Sequence, residues 1–551
     1  MMKILFAGIA LSLASSLTLA EDLAKPDLTL AEIYSARDRQ DVDALLPAVA
    51  AENPRAIVAL GQVGNTEACE ALKAPLSSDS SIARYAAARA IGYCGDVSLA
   101  AWLRYQLKRE PETDVRDEIA YALGRLELER DRDILITLVN NGGSDRVIHG
   151  LLQSIAYQSL PASDLSALDF DLLLKKVAAE PDGKASVAAY LLARLGGLSR
   201  VIDFQKLDAV IRSTKSDHAR ILLVPAYASY GDASLPYLFE LAASPDQNIR
   251  AVVSTALVGM TYQDTQQQIA ALAADDASQV RQSLSSAIAN REVIDAGLLP
   301  VLTALAKDKS PWVQLAAIGG LYRHEKELGI RYARSALASD NVYLKAGAAR
   351  LLGDDPASKP AIEAMAENAE EPYLQRAAKT GLSIEQTPSA SNARKTDDWP
   401  YIEKALERTI VLNTSRGEIE IAFSKGAPFA FWSFYQMASY GYFDGMIWHR
   451  VIPNFVAQAG ARNDRLGERW GTIREEWGGT HAPYSVGVAT AGRDTGSTQF
   501  FINTRHNLHL DDRYTVFGQV VRGFDVVDML EEGDIILSAP PMSTEDKATA
   551  E

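Results

Sequence analysis

From about residue 43 to residue 385 the apolar positions follow a helical period, and one phrase keeps returning. It reads Arg84-Tyr-Ala-Ala-Ala-Arg-Ala-Ile-Gly92, then Arg116-Asp-Glu-Ile-Ala-Tyr-Ala-Leu-Gly124, with Arg55-Ala-Ile-Val-Ala-Leu-Gly61 ahead of both. The closing glycines fall 31 and 32 residues apart, and later copies span 250–259, 281–289, 314–320 and 345–353. Several copies carry an Asp or Ser shortly upstream, as in Ser244-Pro245-Asp246 and Asp308-Lys309-Ser310-Pro311, where helix N-caps belong. The glycine that ends each phrase reads as a helix stop, and small residues at helical spacing read as points where two helices approach closely. A fixed period of this size predicts stacked helical hairpins, roughly ten pairs, none of which can bury its apolar face alone. The pattern is looser between residues 140 and 240.

Beyond residue 385 the pattern changes. Residues 386–404 are rich in Pro, Ser, Asn and charge and read as a linker. Alternation then replaces the helical period. Strands are expected at 409–413 and 417–423, joined by a tight turn at Ser415-Arg416, and again at 447–451, 455–458, 486–489, 500–503 and 516–521. Two apolar helices, 427–440 and 524–530, interrupt them. Many short strands with two helices predict a closed antiparallel β-barrel over 405–537, capped by those helices. Residues 538–551 read as a disordered tail. The fold class is therefore multidomain: an all-α repeat solenoid followed by a barrel.

Composition narrows the class. A chain of 551 residues with 47% hydrophobic content is neither disordered nor fibrous. A formal charge of −16 argues against a field that gathers nucleic acid or anionic lipid. Residues 1–20, MMKILFAGIALSLASSLTLA, combine Lys3, an apolar run and a small-x-small site, the layout of a cleaved secretory signal peptide. Cleavage is expected after Ala20, leaving residues 21–42 as a lead-in to the array and a periplasmic or secreted product. The apolar run falls short of the ~20 residues that span a membrane, and no later segment is apolar enough. Export makes Cys69 and Cys94 of interest. The repeat register brings both to one edge of adjacent units, where a disulfide and two buried thiols both fit. The histidines at 149, 218, 324, 481 and 506 show no ligand spacing, so no metal site and no cofactor are expected.

The repeat phrase resembles HEAT repeats, in particular the short Ala-Leu-Gly variety also found in phycobilin lyases. The barrel segment is more specific. Tyr442-Phe-Asp-Gly-Met-Ile-Trp-His-Arg-Val-Ile-Pro-Asn-Phe-Val-Ala-Gln-Ala-Gly460 is similar to the core signature of cyclophilins, the cyclosporin-type peptidyl-prolyl isomerases. Thr498-Gln-Phe-Phe-Ile502 and Leu510-Asp-Asp-Arg-Tyr-Thr-Val-Phe-Gly518 match its two later blocks in order.

The resemblance implies Arg450 as the catalytic residue, its guanidinium donating toward the prolyl amide. It implies an apolar proline pocket of Phe455, Val456, Phe501 and Leu510, with Val456 where the family often has Met. Gln458 and Gln499 match groups that hold substrate backbone, while Ala489 and Thr490 fit the segment that pairs with the peptide, Thr490 replacing a common Asn. His509 stands where many members have Trp, a change that would weaken cyclosporin binding, and Tyr514 replaces a common His. His449 matches a structural histidine.

An exported peptidyl-prolyl cis-trans isomerase is the expected function, with proline-containing polypeptides as clients and the array holding clients or a protein partner. A proline-binding scaffold without turnover is the second reading, and a bilin-lyase-like role read from the repeats alone the third.

Overall fold

The computed structural model describes residues 28–155, 166–181, 183–195, 197–384, 399–461 and 470–542. The export segment 1–20, residues 386–398 of the linker and residues 543–551 of the tail lie outside the described residues. The chain divides into two compact units, Met1–Ser154 and Ile155–Glu551. Among the described residues no helix is long and apolar enough to cross a membrane.

The first unit is helical. Helices packed on one another, such as Val42–Ala50 on Pro54–Val63, Pro54–Val63 on Ser81–Cys94, and Ala100–Leu107 on Thr113–Arg125, bury Ile57, Leu60, Leu72, Ala87, Ile91 and Leu103 in one core. In the first three copies the closing glycine does not stop the helix, contrary to the sequence expectation, whereas Gly259 caps the helix Gln247–Val258 as expected. Gly61 lies inside Pro54–Val63, and Gly64, in the left-handed region at φ 66°, closes that helix. Gly61 is needed for close approach instead: a Cβ there would meet the Ala90 carbonyl oxygen at 2.4 Å. Cys69 and Cys94 are joined in a disulfide with Cα atoms 5.9 Å apart, tying the helix Thr66–Ala71 to the last residue of Ser81–Cys94.

The arginine that opens the phrase has a physical role. Arg84 turns back so that Nη1 donates to the carbonyls of Ser78 and Asp79 at 2.9 and 3.0 Å, while Nε and Nη2 fork onto Glu110 at 2.8 and 2.7 Å. Each fork ties one interhelical loop to the next.

The second unit holds the later repeats and the sheet. Helices run from Phe170–Ala179 to Pro372–Gly381, and a further helix, Trp399–Leu406, precedes the strands. Here Arg250 forks onto Asp275 and Arg281 onto Asp308, each again donating to the carbonyls of its own loop. The expected N-caps are present: Asp246 accepts from the Asn248 amide at 2.7 Å, and Ser310 from the Val313 amide at 3.4 Å.

The strands are β1 (Thr409–Thr414), β2 (Gly417–Phe423), β3 (Met446–Ile447), β4 (Arg450–Ile452), β5 (Val456–Ala459), β6 (Ser485–Val488), β7 (Phe500–Asn503), β8 (Val516–Arg522), β9 (Ile535–Ser538) and β10 (Pro541–Met542). Their order is β3-β9-β1-β2-β8-β6-β7-β5-β4, with β10 beside β1, and every pairing is antiparallel.

The sheet is a half-barrel, which corrects the closed barrel expected from the sequence. Its two end strands, β3 and β4, are successive pieces of one segment and share no ladder. Between them the amide of Trp448 donates to Asp534 and that of His449 to Gln458, so the chain itself passes from one end of the sheet to the other. The C-terminal segment also departs from expectation. Pro541 and Met542, read as tail, pair with Ile410 and Thr409 of β1.

Helices Pro428–Ser439 and Phe524–Asp528 pack on the sheet through Phe431, Phe434, Met437, Val526 and Val527. That same core includes Trp312 and Tyr343 from the repeat helices. Tyr343 donates its hydroxyl to Glu532 at 2.5 Å and Ser310 to Glu531 at 2.6 Å. Within this unit the repeats and the sheet are therefore one packed body.

Candidate active site

Register decides which side chains meet. Across β4, β5, β7 and β6 the directly opposed residues are Arg450, Gln458, Phe501 and Gly487. Opposed residues share a face, and alternate residues take the other. Val451, Ala457, Ile502 and Val486 accordingly fill the main core behind the sheet. On the front, Val456, Phe501 and Leu510 form a separate buried cluster, with Phe455, Ala489 and Tyr514 packed against it.

Arg450 is exposed at the edge of this cluster, with its Cζ 5.6 Å from the centroid of the Phe455 ring. Its Nη1 donates to Oε1 of Gln458 at 3.2 Å, and Nε2 of Gln458 donates to Oε1 of Gln499 at 2.9 Å. A cation, two amides and an apolar notch thus stand in one row. Ala489 donates its amide to the Gln499 carbonyl at 3.0 Å, which sets the strand segment beside that row. The Thr490 side chain is turned elsewhere and hydrogen-bonds the buried Glu475. Burial lifts the Glu475 carboxyl to about 7.

His509 is buried on the rim, stacked on Phe455 at 5.7 Å between centroids. His449 is half-buried behind Arg450. Burial first, then the neighbouring Arg376, pulls its pKa down to about 4, so the ring is neutral at pH 7.

Other residues build the site without having been singled out from the sequence. Gly487 faces Phe501, whose ring occupies the place of a side chain: a Cβ would lie 2.6 Å from Cζ. His481 stacks on the Phe501 ring at 5.8 Å and holds Asp511 through its amide at 2.7 Å. Asn507 donates to the carbonyl of Phe455 at 2.9 Å and to Oδ1 of Asn503 at 2.8 Å, clasping the pocket rim. The alternation of β7 was the available signal for Asn503, since it must share the face of Phe501.

With this geometry in place, residues 409–547 match the family model of the cyclophilin type peptidyl-prolyl cis-trans isomerases. A peptidyl-prolyl cis-trans isomerase of Helicobacter pylori is 37% identical over 145 residues, which cover 25% of this chain and 89% of that protein. The chain belongs to the cyclophilin-type peptidyl-prolyl cis-trans isomerases. Isomerase B of Bacillus subtilis is 36% identical over 118 residues, 21% of this chain and 82% of that protein. The chain spans only a quarter of the length of a Rhizopus delemar isomerase, 33% identical over 166 residues and 29% of this chain. Residues 75–156 match the HEAT repeat model. A solved Cryptosporidium parvum cyclophilin type isomerase covers 25% of this chain and 98% of its own, at 21% identity and a TM-score of 0.22. The cyclophilin domain thus accounts for the sheet and its front face; the repeat helices are additional to it.

Proposed function

We propose that the protein accelerates cis–trans rotation of X-Pro bonds in polypeptide clients through the cyclophilin domain, with Arg450 as the catalytic residue. The observation that carries this reading is the Arg450 guanidinium set 5.6 Å from the Phe455 ring, beside the Val456–Phe501–Leu510 pocket. The barrier, ~18–20 kcal/mol, comes from amide resonance, so the reaction needs no nucleophile and no metal. The pocket takes the proline ring, and Gln458, Gln499 and the backbone at Ala489 take the flanking peptide. As the bond twists, the amide nitrogen regains its lone pair, and a guanidinium donor there favours the twisted state over the planar one. Arginine stays protonated, so it acts as a donor and never as a shuttle. A charge-assisted hydrogen bond of ~1.5–3 kcal/mol gained only in the twisted state is worth about one to two decades in rate.

The same reading takes the protein as exported. The pattern of residues 1–20 and the Cys69–Cys94 disulfide support that compartment. The repeat helices then hold clients or a protein partner near the catalytic face, raising local concentration.

The test is the isomerisation rate of a proline tetrapeptide with wild-type protein and with Arg450→Ala. Acceleration by the wild type and a loss of about 10- to 100-fold in kcat/KM in the variant are expected. Peptide binding without acceleration would instead establish a proline-segment-binding scaffold and defeat the catalytic reading.

A further inference from the structure

The rim of the proline pocket is held by the repeat helices at two separate places. The first is an aromatic stack. His509 lies between Phe455, at 5.7 Å and 24°, and Tyr190 of the helix Val187–Arg194, at 5.7 Å and 25°. The Tyr190 hydroxyl is 2.6 Å from Nδ1 of His509. Burial pushes that hydroxyl up to about 12, so it keeps its proton and can donate to the imidazole. The second is a loop brace. Asn454, in the left-handed region at φ 60°, donates Nδ2 to the carbonyl of Asn248 at 3.0 Å, immediately before Phe455.

An imidazole is a small ring, and a small ring on a rim can turn. Here it cannot turn without giving up both a stacking partner and a hydrogen bond. A peptide whose proline enters the notch must pass its neighbouring residues over this rim, so the angle of His509 sets the room they have. Neither contact belongs to the sheet; both come from repeat helices.

We propose that Tyr190 is a positioning residue for the isomerase, fixing the His509 ring and through it the preference of the site for the residue beside the substrate proline. The inference rests on the isomerase reading above. It makes the repeat helices part of the enzyme's specificity as well as a place for clients to bind.

The experiment measures kcat and KM of the full chain for two tetrapeptides that differ only in a small or a bulky residue beside proline. Tyr190→Phe keeps the ring and removes the hydroxyl; it is measured in the wild-type background and in His509→Ala. A shift of about threefold to tenfold in the ratio of the two KM values is expected in the wild-type background. No further shift is expected once His509 is gone, because the two residues act as one unit. Equal shifts in both backgrounds, or an unmoved KM ratio with a lowered Tm, would reduce Tyr190 to a packing residue and overturn the proposal. A wild-type protein that accelerates neither peptide overturns the isomerase reading and this inference with it. An active wild type with unmoved ratios overturns this inference alone.

Discussion

Gly487 shows how much of the pocket depends on a side chain that is missing. It stands opposite Phe501 in the β6–β7 ladder, and the Phe501 ring lies over it with Cζ only 2.6 Å from where a Cβ would be. Gly487→Ala forces that ring outward into the notch, since the sheet backbone on the other side is packed against the main core. Overpacking of this kind costs about 1–3 kcal/mol. A lowered Tm together with a raised KM for proline peptides is expected, checked by calorimetry and the peptide assay; an alanine variant unchanged in both would mean the ring is seated elsewhere. Arg450, Phe455, Phe501 and Leu510 could be named from the sequence because they sit in contiguous blocks that resemble the family, and strand register sets Arg450 and Phe501 on one face. Gly487, His481 and Asn507 could not. Each is a short-range unremarkable residue whose role arises only when separate segments are laid side by side, as when Asn507 reaches the carbonyl of Phe455.

The repeat helices are tied together by forks that no single repeat contains. Arg281 donates to Asp308 through Nε at 2.7 Å and Nη2 at 2.9 Å, and through Nη1 to the Asp275 carbonyl at 2.6 Å. Both side chains of the pair are nearly buried, at 4% and 9% exposure, so removing one partner strands the other charge. Breaking such a pair costs about 3–5 kcal/mol. Arg281→Ala should therefore lower the thermal stability of the full chain strongly. Arg281→Lys should recover only part of the loss, because an ammonium cannot fork onto a carboxylate and reach the loop carbonyl together. Full recovery by lysine would show that charge alone, and not the planar fork, joins the loops. The phrase that begins with this arginine was legible as a period, yet its purpose was not, since the acid it needs lies 27 residues away in the next loop. In the first copies the closing glycine was misread for a related reason. A stop and a close approach call for the same residue, and only the neighbour at Ala90 shows that Gly61 is there for the second. The half-barrel escaped prediction because strand count alone fixes no closure. What decides it is that β3 and β4 are one segment serving both ends of the sheet.

At the scale of the molecule, the sequence suggested a barrel hung from an array by a linker and left open whether the two touch. Within the second unit they share a core through Trp312 and Tyr343, and Glu532 links them again. Its Oε2 accepts from the Tyr343 hydroxyl at 2.5 Å and its Oε1 from the Val451 amide at 3.1 Å, one residue from Arg450. The contact also carries an acid-sensitive pair. His218 of the helix Asp217–Ala228 meets His506 edge-on, with ring centroids 5.4 Å apart. Burial first, and the facing His506 second, depress His218 to about 3, while burial also lowers His506. Above the ordinary imidazole value of ~6.5 both folded and unfolded chains leave His218 neutral, so its contribution is fully present there. Below it the unfolded chain binds a proton that the folded chain refuses, and stability falls until the pH nears the folded value. That amounts to about 2 kcal/mol by pH 5 for this one residue. His449, held at about 4, acts in the same direction. Glu475 opposes both: lifted to about 7, it takes its proton in the folded state first, so its term grows more favourable as pH falls from there toward the ordinary carboxyl range. Comparison with His218→Gln, neutral at every pH, cancels the terms the two proteins share. The Tm of the wild type should drop relative to the variant between pH 6.5 and pH 5. Parallel curves over that interval would mean that His218 takes up its proton without resistance, and that the face between repeats and sheet is wetter than its packing implies.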